Sequence, residues 1–352
     1  MSNSDPGAAD RCPLYNPEVG SINLCTGQVE ETAFNYSVTE CTCVLFVVLF
    51  GISSALHLVQ AILSRRWFML GTIFICAITE TLGWSGRLWA SISTQWLPTN
   101  GGHFASNDTA FLMQISTLIF APAFLAAFWY ITLGYLIRFL GPQYCRFNPT
   151  FYSVIFVLGD LASLIVQAIG GGQASAAETL QGANDGARVM YSGVAVQLVV
   201  MVAYCILLAE FVVRFFYDKP VKPFRIWKTK PAIAVPKGVV SPADIKRAKI
   251  LVGAMVFSTV LIFIRSIYRI IELVDGWTGP IISNEALFCT LDGLMVFLAT
   301  AVFNVIHPMW YLPRKTDDHF YETEKFGDDK KGTNDANVSS RPLQDSEAGS
   351  QV

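Results

Sequence analysis

The stretch Leu158-Gly-Asp-Leu-Ala-Ser-Leu-Ile-Val-Gln-Ala-Ile-Gly-Gly-Gly172 decides the fold. It lies in an apolar run that begins near Phe151 and holds an acid, Asp160, an amide, Gln167, and the glycines Gly170, Gly171 and Gly172. Asp160 and Gln167 are two helical turns apart, so a helix projects both from one face. A carboxylate about ten residues into an apolar helix sits roughly 15 Å from its end, at ~1.5 Å rise per residue. In a bilayer that depth is the midplane. Acids are rare there and face a bundle interior, a cavity or a transport pathway.

The rest of the chain agrees with a membrane setting. It is 53% hydrophobic and only 15% charged, with a mean hydropathy of +0.44, where a soluble domain carries about 25% charged residues. Seven apolar runs meet the ~20-residue length needed to cross a bilayer as helix. They are Cys41–Leu63, Phe68–Ile92, Ala110–Arg138, Phe151–Gly170, Arg188–Glu210, Ala248–Glu272 and Asn284–Trp310. Pro122 is expected to kink the third, and His307-Pro308 to end the seventh. The expected fold is therefore all-α, an integral membrane bundle of seven transmembrane helices. Residues 1–40 form a polar N-terminal segment, 41–312 the membrane domain, and 313–352 a polar tail whose Gly, Asp and Ser content predicts disorder.

Lys and Arg in the connections set the orientation. The second, fourth and sixth connections contain none, whereas the first has Arg65 and Arg66 and the third has Arg146. The fifth carries Lys219, Lys222, Arg225, Lys228 and Lys230, and the tail opens with Arg314 and Lys315. This asymmetry predicts an N-terminus outside and a C-terminus in the cytoplasm. Two sequons, at Asn35 and Asn107, then fall outside, and a third at Asn337 falls in the cytoplasm. Cys76, Cys205 and Cys289 lie within apolar spans, while Cys12 and Cys25 share the N-terminal segment and form a candidate disulfide there. That segment has neither the basic nor the apolar region of a cleaved signal peptide.

Ionisable residues recur inside the spans at helical spacing. Glu80 and Arg87 are seven apart in the second span. Arg265, Arg269 and Glu272 follow at i, i+4 and i+7 in the sixth, and Glu285 and Asp292 are seven apart in the seventh. Each set occupies one face. On the predicted topology Arg87, Gln167, Arg265, Arg269, Glu272 and Glu285 lie in the outer half, with Glu80, Asp160 and Asp292 near the middle. An ion at a helix centre costs about 2.5–3.5 kcal/mol even on the lenient insertion scale, so the three arginines must pair with acids. These nine residues are the candidate substrate-binding set, either as a salt-bridge lock or as a charged cavity that also holds an amphiphile's headgroup. Arg265 needs an acid from another helix, Asp160 or Asp292, and the acid left over faces the substrate.

Several function classes are disfavoured. His57 and His307 are the two membrane histidines, fewer than the three protein ligands of a catalytic zinc, so no metal and no hydrolase is expected. No phosphate-binding GxxxxGK[ST] is present, and Gly170 to Gly172 read as a flexible exit from the fourth span. No cofactor, no nucleic-acid contact and no enzymatic activity are expected.

A set of motifs carries a family resemblance. It comprises Glu80-Thr-Leu-Gly83-Trp84-Ser-Gly86-Arg87, Ala121-Pro122-Ala123 with Ala127 and Tyr130, and Gly159-Asp160 with Gln167-Ala-Ile-Gly-Gly-Gly172. It continues with Arg265-Ser-Ile-Tyr268-Arg269-Ile-Ile-Glu272, Glu285 with Asp292, and His307-Pro308. Residues 40–315 resemble the fungal lipid-translocating exporters, the resistance-to-aminocholesterol or RTA-like proteins. The resemblance implies seven spans, a plasma-membrane location and movement of an amphipathic lipid, such as a sphingoid long-chain base, with resistance to sterol analogues. Trp84 stands where that family commonly has tyrosine. The alternative that the residues alone leave open is a seven-helix receptor or sensor, since an outward N-terminus is also receptor topology.

Overall fold

A bilayer core offers no water to backbone N–H and C=O groups, so an apolar span must pair them within itself as a helix. The computed structural model follows that rule: seven helices are long and apolar enough to cross a membrane. It describes residues 34, 36, 38–93, 95–97, 103–105, 108–140, 144–145, 149–177, 179–217, 219, 242–275 and 280–312. The Cys12–Cys25 pair, most of the basic fifth connection, the asparagines of the three sequons and the tail from residue 313 lie outside the described residues.

Helix α1 (Glu40–Ser64) ends at Arg65, which adopts the left-handed conformation. A short 3-10 turn (Trp67–Met69) and a π-helical turn (Leu70–Phe74) lead into α2 (Ile75–Ser93). Strands β1 (Gln95–Leu97) and β2 (His103–Ala105) pair antiparallel and connect α2 to α3 (Asp108–Leu140). Then come α4 (Pro149–Ser175), α5 (Leu180–Phe216) and α6 (Pro242–Asp275). The seventh span, Glu285–Val305, joins α7 (Glu285–Leu287), a π-helical segment (Phe288–Leu294) and α8 (Met295–Val305).

The seventh span stops at Val305, short of the expected Trp310, because Ile306 leaves helical geometry and Pro308 starts the separate helix α9 (Pro308–Tyr311). His307 Nδ1 accepts from the Met309 N–H at 3.1 Å and caps α9. The fifth span begins earlier than expected, at Leu180, where Thr179 Oγ1 accepts from the Gly182 N–H at 3.1 Å. The polar Asn184 and Asp185 therefore ride on helix.

Helix α4 is inside out. Leu158, Leu161, Ile165 and Ile169 are exposed, whereas Asp160, Ser163, Gln167 and Gly170 are buried at near-sevenfold spacing. In lipid the apolar face is the outer one, so the sequence pattern that would be a surface helix in water here seals a polar face within the bundle.

The triple glycine is not an exit from the span. Helix α4 continues through it to Ser175 and packs tightly on α5. A Cβ on Gly170 would stand 2.5 Å from the Met190 backbone nitrogen, and one on Gly186 2.4 Å from that of Ala174. Small residues at such crossings let helix backbones approach within a membrane, where packing rather than water drives association. Gly186→Val is expected to lower stability by about 1–3 kcal/mol, the usual cost of overpacking, read as a drop in the melting temperature of the purified protein. An unchanged melting temperature would mean that the α4–α5 seam is looser than described.

Candidate functional site

The polar residues assemble in three places. At the end of the bundle that carries the β-hairpin, Arg87 of α2 is buried and donates through Nη2 to Tyr36 Oη at 2.6 Å and to Glu285 Oε1 at 3.1 Å. Its guanidinium lies over Phe288 at 4.6 Å and over Phe34 at 5.2 Å. Glu285 is held in turn by Thr39, whose N–H and Oγ1 donate to its two oxygens at 3.0 and 2.7 Å. One charge thus ties α1, α2, the seventh span and the segment preceding α1. Burial pushes the Tyr36 phenol up to about 12, against the opposing pull of Arg87, so it stays a neutral hydroxyl.

Below Phe288 lies the second group. Asp292 sits in the π-helical segment of the seventh span and is fully buried. Arg269 binds it with two parallel bonds, Nε to Oδ1 at 2.9 Å and Nη2 to Oδ2 at 2.7 Å. This is the bidentate fork that suits guanidinium to carboxylate. Arg269 Nη1 also donates to Glu272 Oε2 at 2.8 Å, and Glu272 accepts from the Tyr268 hydroxyl at 3.1 Å. Arg265 brings Nε to 2.7 Å from Asp292 Oδ1, an ion pair without hydrogen-bond alignment. Its Nη2 donates to the Leu118 carbonyl of α3 at 2.7 Å.

The Leu118 bond has a cause in the sequence. A helix would pair that carbonyl with the N–H four residues on, and residue 122 is proline, which has none. Arg265 supplies the missing donor. Glu80, also in this group, is fully buried with neither oxygen bonded, and its electrostatic neighbours are Asp292, Arg265 and Arg269. The indole N–H of Trp84, one turn further, turns toward it without completing a hydrogen bond.

The third group stands apart, between α3, α4 and α5. Asp160 is 3% exposed and accepts from Tyr130 Oη at Oδ2, 2.9 Å away, while Oδ1 has no bonded partner. The Tyr130 ring is 5.0 Å from Tyr204 and 5.2 Å from Phe156, and Trp129 stacks near Tyr204 at 6.4 Å. The Tyr204 hydroxyl and the Trp129 indole N–H are likewise buried and unbonded. Two turns along α4, Gln167 Nε2 donates to Gln197 Oε1 of α5 at 3.1 Å. The Tyr130–Asp160 bond thus joins a carboxylate to an aromatic box built of Tyr130, Phe156, Tyr204 and Trp129.

Of the two acids expected to compete for Arg265, the geometry selects Asp292. Asp160 is the acid left without a cation. Arg87 and Glu285 are linked through Phe288 to the contacts among Arg265, Arg269, Glu272 and Asp292, since Arg269 also lies over that ring at 5.1 Å, and Glu80 lies beside these without a bond. Asp160 and Gln167 form the separate group. Tyr130 was visible as a motif residue, but Tyr36, Gln114, Tyr204 and Gln197 were not singled out; a hydroxyl or amide in an apolar run draws less notice than a charge. Gln114 Oε1 is 3.5 Å from Arg87. Cavities of about 520 and 370 Å³ lie on the surface, one beside Ala243 and Trp310 and one beside Ile270 and Ile281.

Residues 73–315 match the protein family described as RTA1 like protein. The chain belongs to the RTA1-like family. The sphingoid long-chain base transporter RSB1 of Saccharomyces cerevisiae (strain ATCC 204508 / S288c) is 30% identical to it over 314 residues, covering 84% of this chain and 76% of that one. Protein RTA1 of the same strain is 28% identical over 210 residues, 58% of this chain and 59% of its own. Protoporphyrin uptake protein 1 of that strain is 26% identical over 312 residues, covering 77% and 90%. No solved structure matches. The match to the RTA1-like family spans α2 to α9 and so includes all three polar groups except the segment before α1. Among the described residues of this RTA1-like protein, no group of three His, Cys, Asp or Glu is placed to hold a metal ion. His57 and His307 are fully buried, and neither His57 nitrogen is bonded.

Proposed function

We propose that this protein moves an amphipathic lipid with a cationic headgroup, a sphingoid long-chain base first among them, across the plasma membrane and so confers resistance to it. Asp160 carries the proposal. A buried carboxylate with one open oxygen, bonded to Tyr130, whose ring packs against Tyr204 and Phe156, suits an organic ammonium, which gains both an ion pair and the negative faces of aromatic rings. The exposed apolar face of α4 offers the lipid tail a place beside the bilayer. Glu80, Arg87, Arg265, Arg269, Glu272, Glu285 and Asp292 serve as the frame, with Gln167 beside the headgroup. The relatives named for a sphingoid base and for protoporphyrin differ in cargo, so the choice here rests on the headgroup chemistry.

Cells lacking the protein are expected to release less of an added long-chain base and to grow less well in its presence. Equal release and equal sensitivity would turn the reading to a receptor. The orientation is proposed with the N-terminus outside. Glycan on Asn35 or Asn107 in a eukaryotic host, seen as a gel shift lost on mutation of the sequon, agrees with it. A shift lost on Asn337→Gln reverses it.

A further inference from the structure

Among the acids of the second polar group, Glu80 is the one without a direct guanidinium contact among the described residues. Arg269 and Arg265 are balanced by Asp292 and Glu272 through direct contacts. An ionised Glu80 leaves the cluster one negative charge in excess, on a buried carboxylate with no bonded donor among the described residues. From α6 Arg265 and Arg269 face it, from the seventh span Asp292, and from its own helix Cys76 and Trp84. Helix α1 contributes Phe46, stacked on the Trp84 ring at 4.1 Å, and α3 the Leu118 carbonyl that Arg265 holds. A proton on Glu80 removes the excess charge.

Arg265 connects this site to Asp160. It is shared between Asp292 and the carbonyl that Pro122 leaves open, and α3 continues from Pro122 to Tyr130, the donor on Asp160. A carboxylate is a stronger acceptor for guanidinium than a carbonyl. We propose that Glu80 is a proton-exchange site that couples cation transport to a proton gradient, with Arg265 and the missing N–H of Pro122 in α3 carrying the coupling to Asp160. With the proton on, Arg265 bridges Asp292 and Leu118, and Tyr130 covers Asp160. With the proton off, ionised Glu80 draws Arg265 from the Leu118 carbonyl. The Leu118 carbonyl is then left without a donor one turn before Pro122, and Tyr130 swings away from Asp160. The only bond broken is the Glu80 O–H, and the proton passes to water. One proton leaves as one substrate cation enters, so the net charge of the interior is conserved.

The inference rests on the transport reading, and the test separates the two. The full-length protein is placed in phosphatidylcholine vesicles, with an N-trimethylated sphingoid base as probe, because a permanent cation cannot follow a pH gradient by shedding its own proton. A gradient of about one pH unit supports about tenfold accumulation of the probe at one-for-one exchange, and the wild type is expected to approach it. In Glu80→Gln and in Pro122→Ala, which returns an N–H to the Leu118 carbonyl, the ratio of accumulation with and without the gradient is expected to fall to about one, whatever the absolute rate. A wild type that moves the probe equally with and without the gradient overturns the coupling and leaves transport standing. A wild type that moves no probe under either condition overturns both. Should the Gln variant fail to fold, infrared spectra of the wild type decide. A protonated-carboxyl band that shifts in Glu80→Asp and vanishes on saturation with probe supports the proposal, and a band absent or unchanged by probe overturns it.

Discussion

Asp292→Asn is expected to lose about 3–5 kcal/mol of stability, the cost of leaving a buried charge without its partner. Asp292 faces two guanidiniums, so its neutralisation strands positive charge on both Arg265 and Arg269. Arg269 keeps Glu272 at 2.8 Å. Arg265 keeps no ion pair among those described, only a carbonyl. A loss of that size is a large share of a typical folding free energy, so the yield of folded protein should collapse. Adding Arg265→Gln removes the more exposed consequence, an unpaired cation, and is expected to restore part of the yield. Size-exclusion profiles of the wild type, both single variants and the double variant form a double-mutant cycle. Strictly additive losses would contradict the pairing, because contacting residues couple by about 0.5–3 kcal/mol.

Asp160→Asn is expected to do the opposite. Its side chain makes no salt bridge among the described residues, and an amide oxygen still accepts from Tyr130, so folded protein should persist. What disappears is the charge available to an ammonium headgroup. Hydrogen bonds to charged groups contribute about 1.5–3 kcal/mol, so binding is expected to weaken by roughly 10- to 150-fold. Tyr204→Phe, which keeps the ring and removes only the hydroxyl, should change affinity much less, since the ring face rather than the hydroxyl meets the cation. Equal losses for both variants would mean that the box is held together by its hydroxyls and does not act as a cation site.

Charge spacing made the frame legible. Arg265, Arg269 and Glu272 fall on one face by position alone, and a charge in an apolar run demands a partner from the neighbouring helix. That logic narrows Arg265 to Asp160 or Asp292, and only the three-dimensional arrangement chooses. The role of Pro122 was half legible: the lost helical donor to the Leu118 carbonyl follows from the residue, whereas the replacement donor comes from α6, 147 residues after Leu118. Gly170 to Gly172 read as an exit because glycine in water loosens a helix, while in a bilayer Gly170 lets α5 approach. The aromatic box on Asp160 was out of reach, since Trp129, Tyr130, Phe156 and Tyr204 come from three helices and no periodicity links them.

The central claim, that the lipid's cationic headgroup is carried on Asp160, is tested most directly by purified protein in vesicles. Transfer of a labelled sphingoid long-chain base between leaflets would be followed for the wild type, for Asp160→Asn and for protein-free vesicles. The account predicts transfer by the wild type well above the protein-free rate, and a folded Asp160→Asn variant close to that rate. An Asp160→Asn variant that transfers the base as fast as the wild type would contradict it.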